Sequence, residues 1–509
     1  MIAFELAMLA VMFVLTPPRS VWMGGYVVNN QDIAVYLNYL AQGKHGFLLY
    51  NLYNNLPQTP RFDSFWSVAG LLTRTGLPPI ATHEILRWIC TLILGCSIYA
   101  AAKSFLAEER HARLASILAV CGLSTGWIYT LFIYVMPYWP PVTSVIPDVD
   151  TEVAVIPVLI GGAHMILSLA LELWMVRWIW EIVHDGRMRR LWLLLPTILY
   201  LSFFHPYYLP LYGVLAAVSA LIPNLLRKDW KRWLVALLIT CAMLPGLWYF
   251  LLLFKTDVAF ATLQMRHNVI LLAAWWRWII GLAPFIAALI IWLSGRIKNL
   301  PRWPSKPSWI WAWIISAIIC LFLPMNWKRK YTQGLIPALT FVTFPFWLWL
   351  KEKLNNHKWG HALFIIICLI PFYHMLAVQI SLNQQSWQIM FYQPITVREA
   401  WKYIQERSPK DAVVLGRDQW TGIWTPAYTE RRVWIGHYPA TPDYDNRAEQ
   451  FVAWLETTST QANINFLDRN GITHVISLNA TDTAQCATRF GDAWYKEFER
   501  QGVAVWTRK

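Results

Sequence analysis

The sequence predicts a polytopic α-helical membrane protein of about eleven hydrophobic spans, followed by a soluble C-terminal α/β domain. Three observations carry this. Only 14% of the 509 residues are charged while 57% are hydrophobic, whereas a soluble chain has about a quarter charged. Apolar runs of near-spanning length recur through the first three quarters of the chain, and from about residue 384 they stop. This divides the chain into a transmembrane part, 1–383, and a tail, 384–509.

The apolar cores lie near 2–16, 84–102, 114–136, 158–183, 191–204, 207–226, 234–254, 279–294, 309–323, 334–350 and 359–378. The first, Ile2 to Leu15, is stopped by Pro17 and Pro18 and has neither the basic start nor the small-residue cleavage site of a signal peptide, so it reads as a retained span. It is short against the roughly 20 residues a crossing helix needs. The break at His205-Pro206 is read as a turn between two spans. The 32 Trp and 22 Tyr suit the headgroup layer, where a ring is wet on one edge only.

The net charge of +14 does not indicate a nucleic-acid partner, because the cations gather in short loops between spans. Lys103, Arg110 and Arg113 form one group; Arg187, Arg189 and Arg190 the next; then Arg227, Lys228, Lys231 and Arg232; then Arg296, Lys298, Arg302 and Lys306; then Lys351, Lys353 and Lys358. With the turn at His205-Pro206 all five groups share one side, which the positive-inside rule makes cytoplasmic. The N-terminus is then inside and the tail outside. Six of the seven cysteines lie in apolar runs and only Cys486 is in the tail, so neither a disulfide nor a zinc-type spacing is expected there.

The tail alternates. Val397–Glu406 reads as an amphipathic helix, Ala412–Gly416 and Arg432–Ile435 as strands, Glu449–Leu455 as a helix, and Thr473–Leu478 and Val503–Thr507 as strands.

Candidate chemistry falls in the outer loops. On a helix, Asp32, Tyr36 and Tyr39 stand at i, i+4 and i+7 on one face, a carboxylate with two phenols. Asp63, in Arg61-Phe62-Asp63-Ser64, reads as a helix cap. The second outer loop holds Asp148, Asp150 and Glu152, whose oxygens suit a hard divalent cation, or a base and the group that orients it. The late loop Lys328-Arg329-Lys330-Tyr331-Thr332-Gln333-Gly334 places three adjacent cations outside, against the positive-inside pattern, where they suit a lipid phosphate. Glu172 lies inside a span, where an ionisable group is costly. His164 and His205 are lesser candidates.

The outer Asp after span one, the second acidic loop and the late basic loop before an outer domain together resemble the GT-C membrane glycosyltransferases that use polyprenyl-phosphate sugars. The Asp32-x-x-x-Tyr36 helix, the His205-Pro206 turn, the Lys328-to-Gly334 stretch and Gly436-His437-Tyr438-Pro439-Ala440-Thr441-Pro442 look like segments of bacterial members of that group. The family's acidic pair is absent at Asp32, whose neighbour is Ile33. The resemblance implies that Asp32 activates an acceptor hydroxyl, that Asp148 or Asp150 supplies the second acid, and that Tyr36, Tyr39, Glu152, Lys328, Arg329, Lys330 and Gln333 contact substrate. It also implies a bacterial plasma-membrane location, a polyprenyl-phosphate-linked sugar as donor, a glycan, lipid or protein as acceptor, and leaves a divalent metal at Asp148, Asp150 and Glu152 open. Two other classes compete. A non-catalytic assembly scaffold of the same fold is compatible with the missing acidic partner, and a lipid or sugar transporter predicts inverted repeats and paired charges at mid-membrane, which the sequence does not display.

Overall fold

The computed structural model describes residues 1–28, 30–122, 124–125, 153–262, 264–265, 274–294, 308–384 and 386–509, with backbone alone for 222–224, 226, 227, 258, 259, 386 and 387. The chain forms two compact units. The first comprises Met1–Met8, Leu86–Tyr249 and Ile270–Gln379; the second comprises Leu9–Ile85, Phe250–Val269 and Ile380–Lys509.

The first unit is helical. Helix Ala163–Val183 buries Leu169, Leu173, Val176 and Ile179 and packs against helices Leu209–Arg227 and Ser308–Leu321. Helix Leu335–Asn355 packs against Glu109–Cys121, Trp275–Leu293 and Ser308–Leu321. Among the described residues five helices, not about eleven, are long and apolar enough to cross a membrane: Pro79–Lys103, Lys231–Thr256, Trp275–Leu293, Lys328–Asn355 and Gly360–Asn383.

The shortfall has local causes. Gly162, at φ 153° and ψ 144°, cuts the expected span 158–183 into Val155–Gly161 and Ala163–Val183, and the longer piece carries Glu172, Arg177 and Glu181. The expected span 191–204 is a 12-residue helix, Leu191–Ser202, with Pro196 inside it. Ile2–Val14 and, as far as it is described, Ser308–Leu321 are apolar but short; at about 1.5 Å per residue such helices fall short of a hydrocarbon layer of about 30 Å. Helix Glu109–Cys121 stops at left-handed Gly122, and residues 126–136 of its expected span lie outside the described residues. Apolar runs therefore overcount long helices where a glycine ends the helix or buried charges lower its hydropathy.

Two of the five long helices, Lys231–Thr256 and Trp275–Leu293, bury only 22% of their apolar windows. Leu237, Leu251, Ile290 and Leu293 consequently face outward. Apolar faces this wide are favourable against lipid tails and unfavourable against water. The chain is an integral membrane protein with a distinct sheet-bearing C-terminal domain.

The second unit contains all nine described strands. Strand β1 (Ser20–Trp22) pairs antiparallel with β4 (Tyr392–Pro394), and β2 (Leu48–Leu49) with β3 (Arg61–Phe62). A five-stranded sheet of β5 (Val413–Gly416), β6 (Arg432–Val433), β7 (His474–Ser477), β8 (Trp494–Arg500) and β9 (Val503–Arg508) has the order β6-β5-β7-β9-β8. β6, β5 and β7 run parallel, and β9 and β8 complete the sheet antiparallel. All residues of β5 and β7 are buried, as expected of central strands covered on both faces. β8 reads Trp-Tyr-Lys-Glu-Phe-Glu-Arg, and its charges mark it as a protected edge. This strand has no apolar run to announce it. The turn Gln501-Gly502, with φ of 48° and 84°, closes the β8–β9 hairpin with both residues in the left-handed region.

Three helices of this domain also escape the apolar pattern: Gln419–Thr429, Thr460–Arg469 and Ala480–Phe490. Each begins with a side-chain cap. Asp418 accepts the Thr421 N–H, Ser459 the Ala462 N–H and Asn479 the Asp482 N–H, satisfying a donor that the first helical turn leaves orphaned. The inner faces of the last two close over a core that includes Leu415, Trp434, Trp454, Val475, Phe490 and Trp506.

Candidate functional site

Helix Asn30–Gly43 forms because Ile33, Leu37, Leu40 and Ala41 recur at helical spacing, and all four are buried. The stripe packs against helix Gln419–Thr429 and against the segment Trp66–Thr75. At its end the helix crosses Gly70 so closely that a Cβ on Gly43 would lie 2.3 Å from the Gly70 Cα. Only two glycines permit this approach. The stripe leaves Asp32, in the first turn, and Tyr36 at its margin.

Asp32 keeps 38% of its side chain exposed, and its Oδ1 lies 2.8 Å from the Nε2 of His437, which is itself 5% exposed. The two residues are 405 positions apart. His437 belongs to a tight turn after β6: the Gly436 N–H donates to Thr441 Oγ1, and the N–H groups of Ala440 and Thr441 donate to the His437 carbonyl. The Ala440 carbonyl accepts from Asn51 Nδ2 at 2.7 Å. The Tyr53 ring packs 5.7 Å from the His437 ring, and its hydroxyl donates to the Ile423 carbonyl at 2.8 Å. Burial, and after it the charge of Asp32, pushes the Tyr53 phenol well above its ordinary value, so it remains a donor. Gly436 is required here, because a Cβ would meet both the Gly422 carbonyl and the Tyr53 ring at 2.8 Å. The Leu52 carbonyl accepts the Val433 N–H, which ties the residue-52 segment to β6.

Tyr36 stacks on Trp66 at 4.8 Å and 13°. Trp66 is placed by Asp63, whose Oδ1 accepts the N–H groups of Phe65 and Trp66. Tyr39 is buried, with the Arg61 guanidinium 4.9 Å over its ring.

Burial pushes the Asp63 carboxyl up to about 6, against the pull of the Trp66 N–H, the Arg61 charge and the Phe65 N–H. An acid whose folded pKa is raised holds more protons folded than unfolded, so stability falls as pH rises from about 4 through about 6. Asp63→Asn keeps Oδ1 as acceptor for both N–H groups and removes the titration. The unfolding midpoint of this variant is expected to vary less with pH across that window than that of the wild type; an unchanged slope would rule the assignment out.

The remaining expected residues lie elsewhere. Lys328, Arg329 and Lys330 belong to the first unit, in a 3-10 turn, Lys328–Thr332, where all three are half-buried. Gln333 follows, buried, and left-handed Gly334 lies where a Cβ would meet the Trp313 ring at 2.8 Å. Asp148, Asp150 and Glu152 lie outside the described residues. Among the described residues no group of three or more His, Cys, Asp or Glu is placed to hold a metal ion. Glu172 is fully buried in helix Ala163–Val183. His164 and His205 meet edge to face at 5.1 Å.

Sequence reasoning singled out the turn Gly436-His437-Tyr438-Pro439-Ala440-Thr441-Pro442 only as a resemblance, and passed over Tyr53. The signal was there: a histidine between a glycine and two prolines marks a rigid turn with a titratable ring. Its partner is invisible at that separation.

No family model matches the chain, and no curated protein matches it. Among solved structures, ArnT from Cupriavidus metallidurans in the apo state aligns with a TM-score of 0.51 at 11% identity, over 99% of this chain and 97% of that one. The chain shares the fold of that protein. The structure of the same protein bound to undecaprenyl phosphate aligns with a TM-score of 0.49, at the same identity and coverage. At 11% identity the likeness is one of fold.

Proposed function

We propose that this protein is a membrane glycosyltransferase that moves a sugar from a polyprenyl-phosphate-linked donor to an acceptor hydroxyl outside the membrane, with inversion at the anomeric carbon. The observation that carries the reading is Asp32: a carboxylate with one oxygen held by a buried imidazole and enough exposure to meet an acceptor. The shared fold and the motifs around Asp32 and Lys328–Gly334 support the same reading.

The second oxygen of Asp32 takes the proton of the acceptor hydroxyl as that oxygen attacks the anomeric carbon. The bond from that carbon to the phosphate oxygen breaks, and polyprenyl phosphate leaves with the electron pair. Lys328 and Arg329 are proposed to hold the charge that builds on the leaving phosphate, Arg by a planar fork and Lys as a point charge. Tyr36, Tyr39, Lys330 and Gln333 are the remaining proposed substrate contacts, with Glu152 and either Asp148 or Asp150 as the second acidic group. Residues 384–509 are proposed to form the extracytoplasmic domain.

The purified full-length protein in liposomes, given a panel of radiolabelled polyprenyl-phosphate sugars and envelope lipid and glycan acceptors, is expected to release polyprenyl phosphate and form a glycoside of inverted configuration. Absence of transfer from every donor, or a product of retained configuration, would overturn the proposal. Lys328→Ala with Arg329→Ala is expected to lower turnover on the order of 10²-fold if these cations act on the transition state; wild-type turnover would remove them from the site.

A further inference from the structure

We infer that His437 is the positioning residue for Asp32, so that the turn 436–442 of the C-terminal domain is a working part of the site. This rests on the proposed reading of Asp32 as base. The hydrogen bonds determine the tautomer. The Ala440 N–H approaches His437 Nδ1 at 3.3 Å, and a backbone N–H only donates, so Nδ1 is the acceptor nitrogen and Nε2 carries the hydrogen. That hydrogen points at Asp32 Oδ1, 2.8 Å away.

An imidazole that donates from Nε2 supplies one directional bond that selects the rotamer of Asp32 and turns the second oxygen to the acceptor. The imidazole has little freedom to move. His437 is buried, its carbonyl is held by two N–H groups, its ring lies against Tyr53, and Gly436 is locked between Gly422 and Tyr53. Asp32, by contrast, is placed on a helix margin with 38% of its side chain open. The enclosed partner therefore orients the more open one. A helix alone would leave Asp32 several rotamers, most of them unproductive.

The test compares His437→Ala and His437→Gln in the full-length protein, since the Gln Nε2 amide can donate from near the position of the imidazole Nε2. His437→Ala is expected to lower kcat on the order of 10²-fold with KM within about twofold, and His437→Gln is expected to recover most of the loss. Wild-type kcat in the alanine variant, a rise in KM at constant kcat, or equal losses in both variants would overturn the inference. A second readout is independent of activity. Unfolding midpoints of Asp32→Ala, His437→Ala and the double variant are expected to be non-additive, since each single change removes the contact, whereas additivity would show that the pair is not coupled. If the wild type transfers no sugar at all, the proposed reaction fails, and the unfolding cycle still decides whether the pair exists.

Discussion

Asp32→Asn is expected to abolish most of the transfer activity while leaving the fold intact. The amide has the shape of the carboxylate and its Oδ1 can still accept the His437 Nε2–H, so the contact between Asp32 and the C-terminal domain survives. What it cannot do is take a proton. General-base catalysis contributes roughly 10² to 10⁴ in rate, and a loss of that size in kcat, with an unchanged unfolding midpoint, is the expected result. The check is release of polyprenyl phosphate from the donor that the wild type accepts. Turnover near wild type would show that another group is the base, with Asp32 reduced to a structural acceptor for His437.

Gly43→Ala is expected to be the more damaging change to the fold, although it adds only a methyl group. Its Cβ would lie 2.3 Å from the Gly70 Cα and 2.9 Å from the Gly70 carbonyl carbon. Carbon atoms in contact prefer about 3.5 to 4.0 Å, and here both sides are backbone, so no side chain can rotate away. Helix Asn30–Gly43 must move off the segment Gly70–Thr75, at about 1 to 3 kcal/mol for overpacking. The movement would also carry Asp32 out of register with His437, so activity should fall with stability. Gly213→Ala is the control. Among the described residues beyond its own helical turn nothing lies within 4 Å of its added Cβ, inside helix Leu209–Arg227, so the better helix propensity should stabilise by about 0.5 to 1 kcal/mol. Tryptophan fluorescence during thermal unfolding in detergent would measure both. Equal midpoints for the two variants would show that the Gly43–Gly70 crossing does not constrain the helix.

Asp32 stood out in the sequence as a candidate because a carboxylate and two tyrosines at helical spacing show up in a one-dimensional pattern. The structure divides that trio: Tyr36 stacks on Trp66, and Tyr39 is buried under Arg61. Ring partners of this kind come from other segments and leave no periodic trace. The same holds for Asp63, whose cap is a local contact and was readable, and for the burial that raises its pKa, which was not. Strands β5, β7 and β9 were legible because central strands are apolar runs. β8 was not, because an exposed edge keeps its charges.

By itself the sequence determined the membrane character, the sheet-bearing tail and the candidate carboxylate, since these follow from composition, run length and short-range spacing. Tertiary structure alone decided which apolar runs become long helices. A single Gly162 outweighs the hydropathy around it, because one backbone angle ends a helix and the apolar side chains on either side do not restore it. It alone also paired Asp32 with His437 across 405 residues. That pairing requires two segments, each shaped by its own glycine contacts, to be fixed in the same place, and no local pattern encodes where a distant segment will lie.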